Sequence, residues 1–174
     1  MIDVNQLAQA IRLIALDVDG VMSDGRVIYG NTGEETKAFN IKDGLGIKLA
    51  QSMGIEVAII TGRTALLLDR RAKELGINAV IQGREDKRAA LQELADSRDI
   101  NLMQCAYMGD DLPDLGAILA AGLGTCPADA VAEVKSHADW VSAANGGRGA
   151  VRDLCEVILK AQGHWPRILA TYAS

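Results

Sequence analysis

At 174 residues, the chain is long enough to bury a sizeable core and short enough for one domain. Aromatic residues make up only 3% of a sequence that is 49% hydrophobic, so the core falls to Ala, Val, Ile and Leu, a mixture that favours helices on a buried parallel sheet. The formal charge of −5 argues against nucleic acid as the main partner, because phosphate backbones select basic faces, but it leaves room for a small anionic substrate held by a metal and local cations.

In chain order, IRLIALDV reads as the first strand. RVIYGNTGEETKAFN follows as a hairpin flap over about residues 26–40, with β-branched and aromatic residues on each side of a GNTG turn. DGLGIKLAQSMG is helical and stops at a glycine, IEVAIIT is a strand, TALLLDRRAKELG is a helix ending at Gly76, and NAVIQ is a strand. REDKRAALQELADSRD then forms a helix, MQCAYMG a strand and DLPDLGAILAAG a helix. LGTCP and ADWVS are short strands, GAVRDLCEVILKAQG is a long last helix, and HWPRILATYAS, about residues 163–174, forms a tail. Repeated strand–helix units imply an α/β fold: a Rossmannoid parallel sheet with helices on both faces, in a single domain over residues 1–174.

The cysteines, Cys105, Cys126 and Cys155, are odd in number and widely spaced. They read as reduced core residues, and neither His137 nor His164 stands at zinc-ligand spacing from them. No secretory leader or apolar run of membrane-spanning length is seen, so a soluble, cytoplasmic protein is expected.

Ligands of open α/β sheets bind at the carboxyl ends of the strands. The residues found there are Asp17 and Asp19 after the first strand, Thr61 after the second, and Gly109-Asp110-Asp111 after the fourth. Carboxylates converging on one point are hard to keep ionised without a cation. An all-oxygen set without His or thiolate suits Mg²⁺. Thr61 adds a hydroxyl, and Lys87 opens a helix from which its ammonium reaches the same crevice. A metal, a Lys and a Thr around a spare carboxylate make a phosphate site containing a nucleophile. One carboxylate would attack phosphorus, and a second, two residues on, would protonate the leaving oxygen and then activate water. Taken singly, D-V-D-G is also an Asx turn, Thr61-Gly62 a helix cap, Lys87 a surface charge and Asp110-Asp111 a cap of the next helix. An EF-hand loop is excluded by the absent third-step ligand and distal Glu. Asp24 belongs to an ordinary S-D-G turn.

The ordered set Asp17-Val-Asp19-Gly20-Val, Ile60-Thr61-Gly62-Arg63, Lys87 and Gly109-Asp110-Asp111-x-x-Asp114 resembles the four motifs of the haloacid dehalogenase-type phosphatases. The resemblance covers about residues 12–162. It implies Asp17 as nucleophile and Asp19 as general acid/base whose backbone carbonyl also serves Mg²⁺. Asp110 would complete the metal site; Thr61, Gly62 and Lys87 would hold the phosphoryl group, with Asp111 and Asp114 in support. Members of this superfamily often insert a cap domain after the first or second motif, and neither gap here has room for one. An uncapped site gains a wall from a neighbouring subunit, so a homo-oligomer is expected.

Within the family, GNTGEETKAFNIKDGLGIK, ITGRTALLLDRRAKELGI, YMGDDLPDL and GGRGAVRDLCEVILKAQG resemble the capless 3-deoxy-D-manno-octulosonate 8-phosphate phosphatases of lipopolysaccharide sugar synthesis. That branch forms tetramers in which the hairpin and C-terminal segment lie near a neighbour's site. The resemblance implies sugar-acid contacts at Asn40, Lys42, Asp43, Gly44, Lys48, Arg63 and Arg71. Arginine suits a carboxylate-bearing substrate; Lys42 and Lys48 stand where arginines are common and keep charge without the fork. Arg71 also reads as a solvated helix charge, and Trp165 as a subunit contact or a lone exposed aromatic. GGRGAVRDL is no dinucleotide loop, since Arg152 fills the third glycine position. Phosphatases of nine-carbon sialic-type sugar acids, a phosphoprotein phosphatase and a non-catalytic oligomerisation module are the alternatives.

Overall fold

The computed structural model describes residues 3–173. Strands β1 (Leu13–Leu16), β4 (Glu56–Ile60), β5 (Ala79–Ile81), β6 (Cys105–Met108), β7 (Leu123–Cys126) and β8 (Trp140–Val141) form one sheet, ordered β5-β4-β1-β6-β7-β8. Every pairing in it is parallel. The remaining strands, β2 (Ile28–Tyr29) and β3 (Glu35–Thr36), pair only with each other as an antiparallel hairpin. This is the α/β Rossmannoid sheet expected.

Because β1 is buried on both faces, alternate side chains feed two cores. Ile14 and Leu16 pack with α1 (Val4–Gln9), α2 (Ile41–Ser52), α3 (Leu66–Leu75) and α7 (Ala150–Ala161), while Leu13 and Ala15 face α4 (Lys87–Asp96), α5 (Leu115–Ala120) and α6 (Ala132–His137). On α7, Ala150, Val151, Leu154, Cys155, Ile158 and Leu159 are buried at helical spacing. The chain runs from β1 outward to β4 and β5, then crosses back to β6, so strand order reverses between β1 and β6. That reversal opens the crevice in which such sheets bind ligands. Only the hairpin, α2 and β4 lie between Asp19 and Thr61, and only α3 and β5 between Thr61 and Lys87, which leaves no cap.

Three elements differ from the sequence reading. Helices α1 and α6 are six residues each, too short to show a periodic apolar stripe. The expected tail is helix α8 (Trp165–Ala173); Pro166 sits in its first turn, where proline fits, and Ile168 is buried. Lys160 and Arg152 lie 5.0 and 5.7 Å from the centre of the Trp165 ring.

Helix α2 starts at Asn40, whose Oδ1 accepts from the Lys42 and Asp43 N–H groups at 2.8 and 3.4 Å. One turn on, Asp43 is buried, and its two oxygens accept from the Gly149 and Arg152 N–H groups at 3.3 and 2.8 Å. Asp43 thus caps the amino end of α7 from a neighbouring helix, although burial still raises its pKa. Asp43→Ala leaves two part-buried donors open, and we expect it to lower unfolding free energy by about 2 kcal/mol, read as a lower urea midpoint at constant m.

Candidate active site

Asp17 is set by register: its N–H donates to Met108 O at 3.0 Å, prolonging the β1–β6 pairing one residue past the strand. The chain then kinks through residues 18–22, with Asp19 extended and Gly20 at φ +88°. A Cβ on Gly20 would overlap the Asp110 carboxylate, so both the left-handed backbone and the close approach call for glycine. The D-V-D-G order thereby folds two acids into one site instead of displaying them on a surface turn.

The cluster turns on Asp114, which is 1% exposed. Its Oδ1 accepts from Lys87 Nζ and the Tyr107 hydroxyl, each at 2.7 Å. Its Oδ2 accepts from the Asp110 and Asp111 N–H groups at 3.1 and 3.2 Å. Lys87 Nζ also lies 3.0 Å from Asp17 Oδ1. Asp111 turns the other way and caps the following turn through the Leu112 N–H. Thr61 is buried, its Oγ1 accepting from the Arg63 N–H at 3.4 Å. A cleft of about 780 Å³ is lined by Asp17, Asp19, Thr61, Lys87, Asp110 and Asp114, among others. Gly62, Arg63 and Asp111 also line it, so the expected phosphoryl and metal residues come together at one opening.

Burial and repulsion from Asp114 raise the Asp17 pKa to about 6, against an opposing pull from Lys87. Asp110 is raised to about 7, by burial and then by Asp114, Asp17 and Asp111. Burial alone would lower the Lys87 pKa, but the carboxylates of Asp17 and Asp114 outweigh it and hold it raised. Oxygens from Asp17, Asp110 and Asp114 all lie within 4.8 Å of one another. Both Asp114 oxygens are already taken by four donors, so the free ligands are Asp17 and Asp110. Two carboxylates with room for waters fit Mg²⁺, and a divalent cation offsets the charge that one ammonium leaves over.

The expected substrate contacts fall elsewhere, apart from Arg63. Arg71 lines a separate hollow of about 240 Å³ behind the hairpin, with Glu35, Lys37 and Phe39. Its Nη2 donates to Asn40 O at 3.1 Å, and its guanidinium carbon stands 5.7 Å from the Phe39 ring centre. A Cβ on Gly44 would meet Arg71 Nη2 at 2.6 Å, so Gly44 makes room for the arginine. Asp43 serves the α7 cap, and Lys42 and Lys48 are exposed on α2. Within one subunit, Asp43 thus caps α7 and Gly44 makes room for Arg71.

Sequence reasoning missed Tyr107, Lys37 and Glu35, and also Glu85, which lines the cleft. Tyr107 sits in an apolar run that reads as plain core, although a buried hydroxyl needs a partner, and that need was the available signal. Lys37 and Glu35, in a polar hairpin, gave none.

The haloacid dehalogenase-like hydrolase family model matches residues 80–153. A 3-deoxy-D-manno-octulosonate 8-phosphate phosphatase of Yersinia pestis is 49% identical over 160 residues, 92% of this chain and 86% of the relative. The chain belongs to the haloacid dehalogenase-like hydrolases. A Moraxella catarrhalis 3-deoxy-D-manno-octulosonate 8-phosphate phosphatase, solved with magnesium, phosphate and KDO, superposes with a TM-score of 0.96 at 48% identity, covering 97% of each chain. A cobalt-bound Haemophilus influenzae phosphatase of the same kind gives 0.88 at 40% identity, over 91% of this hydrolase and 92% of that chain.

Raised carboxylate pKa values make the metal-free hydrolase less stable as pH rises. Below the ordinary value of 3.8 folded and unfolded chains both hold their protons; above it the unfolded chain loses them while the site holds until about 6 and 7. Without divalent cations, Asp110→Asn is expected to gain about 2 kcal/mol at pH 8, water at the open side reducing the full conversion. The gain shrinks toward zero near pH 4. Denaturant titrations across that range check it, and Mg²⁺ should raise Tm more for wild type than for the variant.

Proposed function

We propose that this hydrolase cleaves 3-deoxy-D-manno-octulosonate 8-phosphate to the free sugar acid and phosphate, as a Mg²⁺-dependent phosphatase. The observation that carries this is the Asp17–Lys87–Asp114 network beside Asp110 and Thr61, together with the Moraxella catarrhalis likeness over 97% of the chain.

Asp17 attacks phosphorus while Asp19 gives its proton to the departing sugar oxygen, leaving an aspartyl-phosphate on Asp17. Asp19 then takes a proton from water as its oxygen attacks that phosphorus, releasing phosphate and restoring Asp17. Lys87 and the Thr61 hydroxyl hold the phosphoryl oxygens, Lys87 being fixed in turn by Asp114. Mg²⁺, held by Asp17, Asp110 and the Asp19 carbonyl, supplies positive charge that lets an anionic nucleophile meet an anionic ester.

Substrate selection falls to Arg63 in the cleft and to Asn40, Lys42, Lys48 and Arg71 around the start of α2, brought to a sugar acid by a neighbouring subunit. Support comes from exposed apolar side chains on this same flank, notably Ile28 and Tyr29 on the hairpin, Ile41 and Leu66. We therefore place the chain in a homo-oligomer, a tetramer by analogy with its branch. We also place it in the cytoplasm as one domain, which suits three buried free cysteines. No helix among the described residues is long and apolar enough to cross a membrane.

The test is Mg²⁺-dependent phosphate release from the eight-carbon ester against a nine-carbon sugar acid 9-phosphate, with preference for the first expected. A preference for the second would keep the chemistry and move the substrate, and no release from either would leave an oligomerisation module. Asp17→Asn should lower kcat by at least about 10³-fold with CD spectrum and oligomer size unchanged. Arg71→Ala should cut kcat/KM for the sugar-acid ester by about 10-fold or more while sparing a simple aryl phosphate; equal loss on both would make Arg71 structural.

A further inference from the structure

The hairpin lies outside both cores, with Ile28 and Tyr29 exposed, yet it carries one long side chain that is almost wholly covered. The Lys37 side chain is 2% exposed, and its Nζ lies 2.6 Å from Asp19 Oδ1 and 3.3 Å from Glu35 Oε1. Arg63, from the loop after β4, closes the group from the other side, Nε 3.6 Å from Asp19 Oδ2 and Nη2 3.2 Å from Glu35 Oε2. Two cations from separate elements thus bracket two carboxylates, and one of those carboxylates is the acid/base of the proposed reaction. Both Asp19 oxygens are buried and accept no hydrogen bond; the groups that meet them are the ion-paired Lys37 and Arg63. Asp19 is therefore held in place by charge, both its oxygens covered by Lys37 and Arg63 while the hairpin lies where it does here.

An acid/base group must sit within hydrogen-bond reach of the proton it moves, and small misplacement costs rate. Asp19 hangs from a kinked segment beside a glycine and has no hydrogen bond to fix its rotamer. Burying a lysine on a thin two-strand hairpin is unfavourable unless its charge is met. The arrangement accounts for both facts at once. We infer that Lys37 is a positioning residue: it ties the hairpin to the Asp19 carboxylate and aims that carboxylate at the leaving-group oxygen, so that proton transfer depends on where the hairpin lies. This rests on the phosphatase reading with Asp19 as acid/base.

Leaving-group dependence reads the aim of the acid directly and does not involve sugar recognition. Wild type, Lys37→Met and Lys37→Arg are compared by kcat/KM with Mg²⁺ across aryl and alkyl phosphates whose leaving groups span weak to strong bases; this ratio covers steps up to phosphoenzyme formation. Lys37→Met keeps length and loses charge. We expect it to leave para-nitrophenyl phosphate within about threefold, since that leaving group departs without a proton, and to lose about 100-fold on alkyl esters. A plot of log kcat/KM against leaving-group pKa then steepens. Lys37→Arg should recover part of the alkyl loss by restoring the charge.

A parallel drop on all esters would overturn the inference in favour of phosphate binding or general damage, as would unchanged rates throughout. A rise in KM with kcat intact would do the same. Melting curves separate misfolding, which is not expected because neither Lys37 nor any residue of β2 or β3 belongs to either core. A wild-type protein inactive on every ester would instead bring down the phosphatase reading itself.

Discussion

The site depends on one buried carboxylate. Asp114 accepts four hydrogen bonds, from Lys87, Tyr107 and the N–H groups of Asp110 and Asp111, and so joins β6, the turn after it and α4 at a single point. A buried charge is tolerable when each of its lone pairs is met, and costly when one is not. Once Asp114 is satisfied, Lys87 is aimed at Asp17 and the Asp110 loop is turned toward the same spot. Asp17 and Asp110 are then held in a strained electrostatic state that their raised pKa values report. The scaffold supplies the strain, and a divalent cation relieves it.

The two faces of the sheet divide the work. On one side α4 and α5 brace the catalytic loops, with Lys87 in the first turn of α4 above an Asp86 cap. On the other, α2 and α7 lie close together, stapled by Asp43, and present the start of α2 and Arg71 to the hairpin. The residues expected to hold the phosphoryl group thus meet within one chain, while the face suited to reading the rest of a substrate is open and partly apolar. That division explains why a phosphatase without a cap can keep a well-ordered centre and a poorly enclosed rim.

Much of this was legible in the sequence because periodicity and motif order are local signals. Alternating apolar runs and helical stripes gave the six parallel strands, and placing acids at strand ends predicted that residues far apart would meet at Asp17, Thr61, Lys87 and Asp110. What stayed hidden depends on three-dimensional neighbours. Asp43 looks like a polar residue in a first helical turn, and only the approach of α7 makes it a remote cap. Gly44 looks like a helix weakness until Arg71 lies against it. Lys37 comes just after a strand of two residues, and no spacing rule points it at Asp19. Helices α1 and α6 are too short for a period to show.

The order of the sheet also governs when this charge cluster comes into being. Strand β1 sits at the centre and needs β4 on one side and β6 on the other, and Leu13 pairs both with Glu56 and with Cys105. Loop closure over such separations makes central pairings of this type slow to form. During synthesis, Asp17 emerges long before Asp110 and Asp114. The early acids stay apart from the late ones, in water, until β6 docks against β1. Mutual repulsion among them therefore opposes only the last central pairing, and the apolar strands β1 and β4 can associate without meeting it.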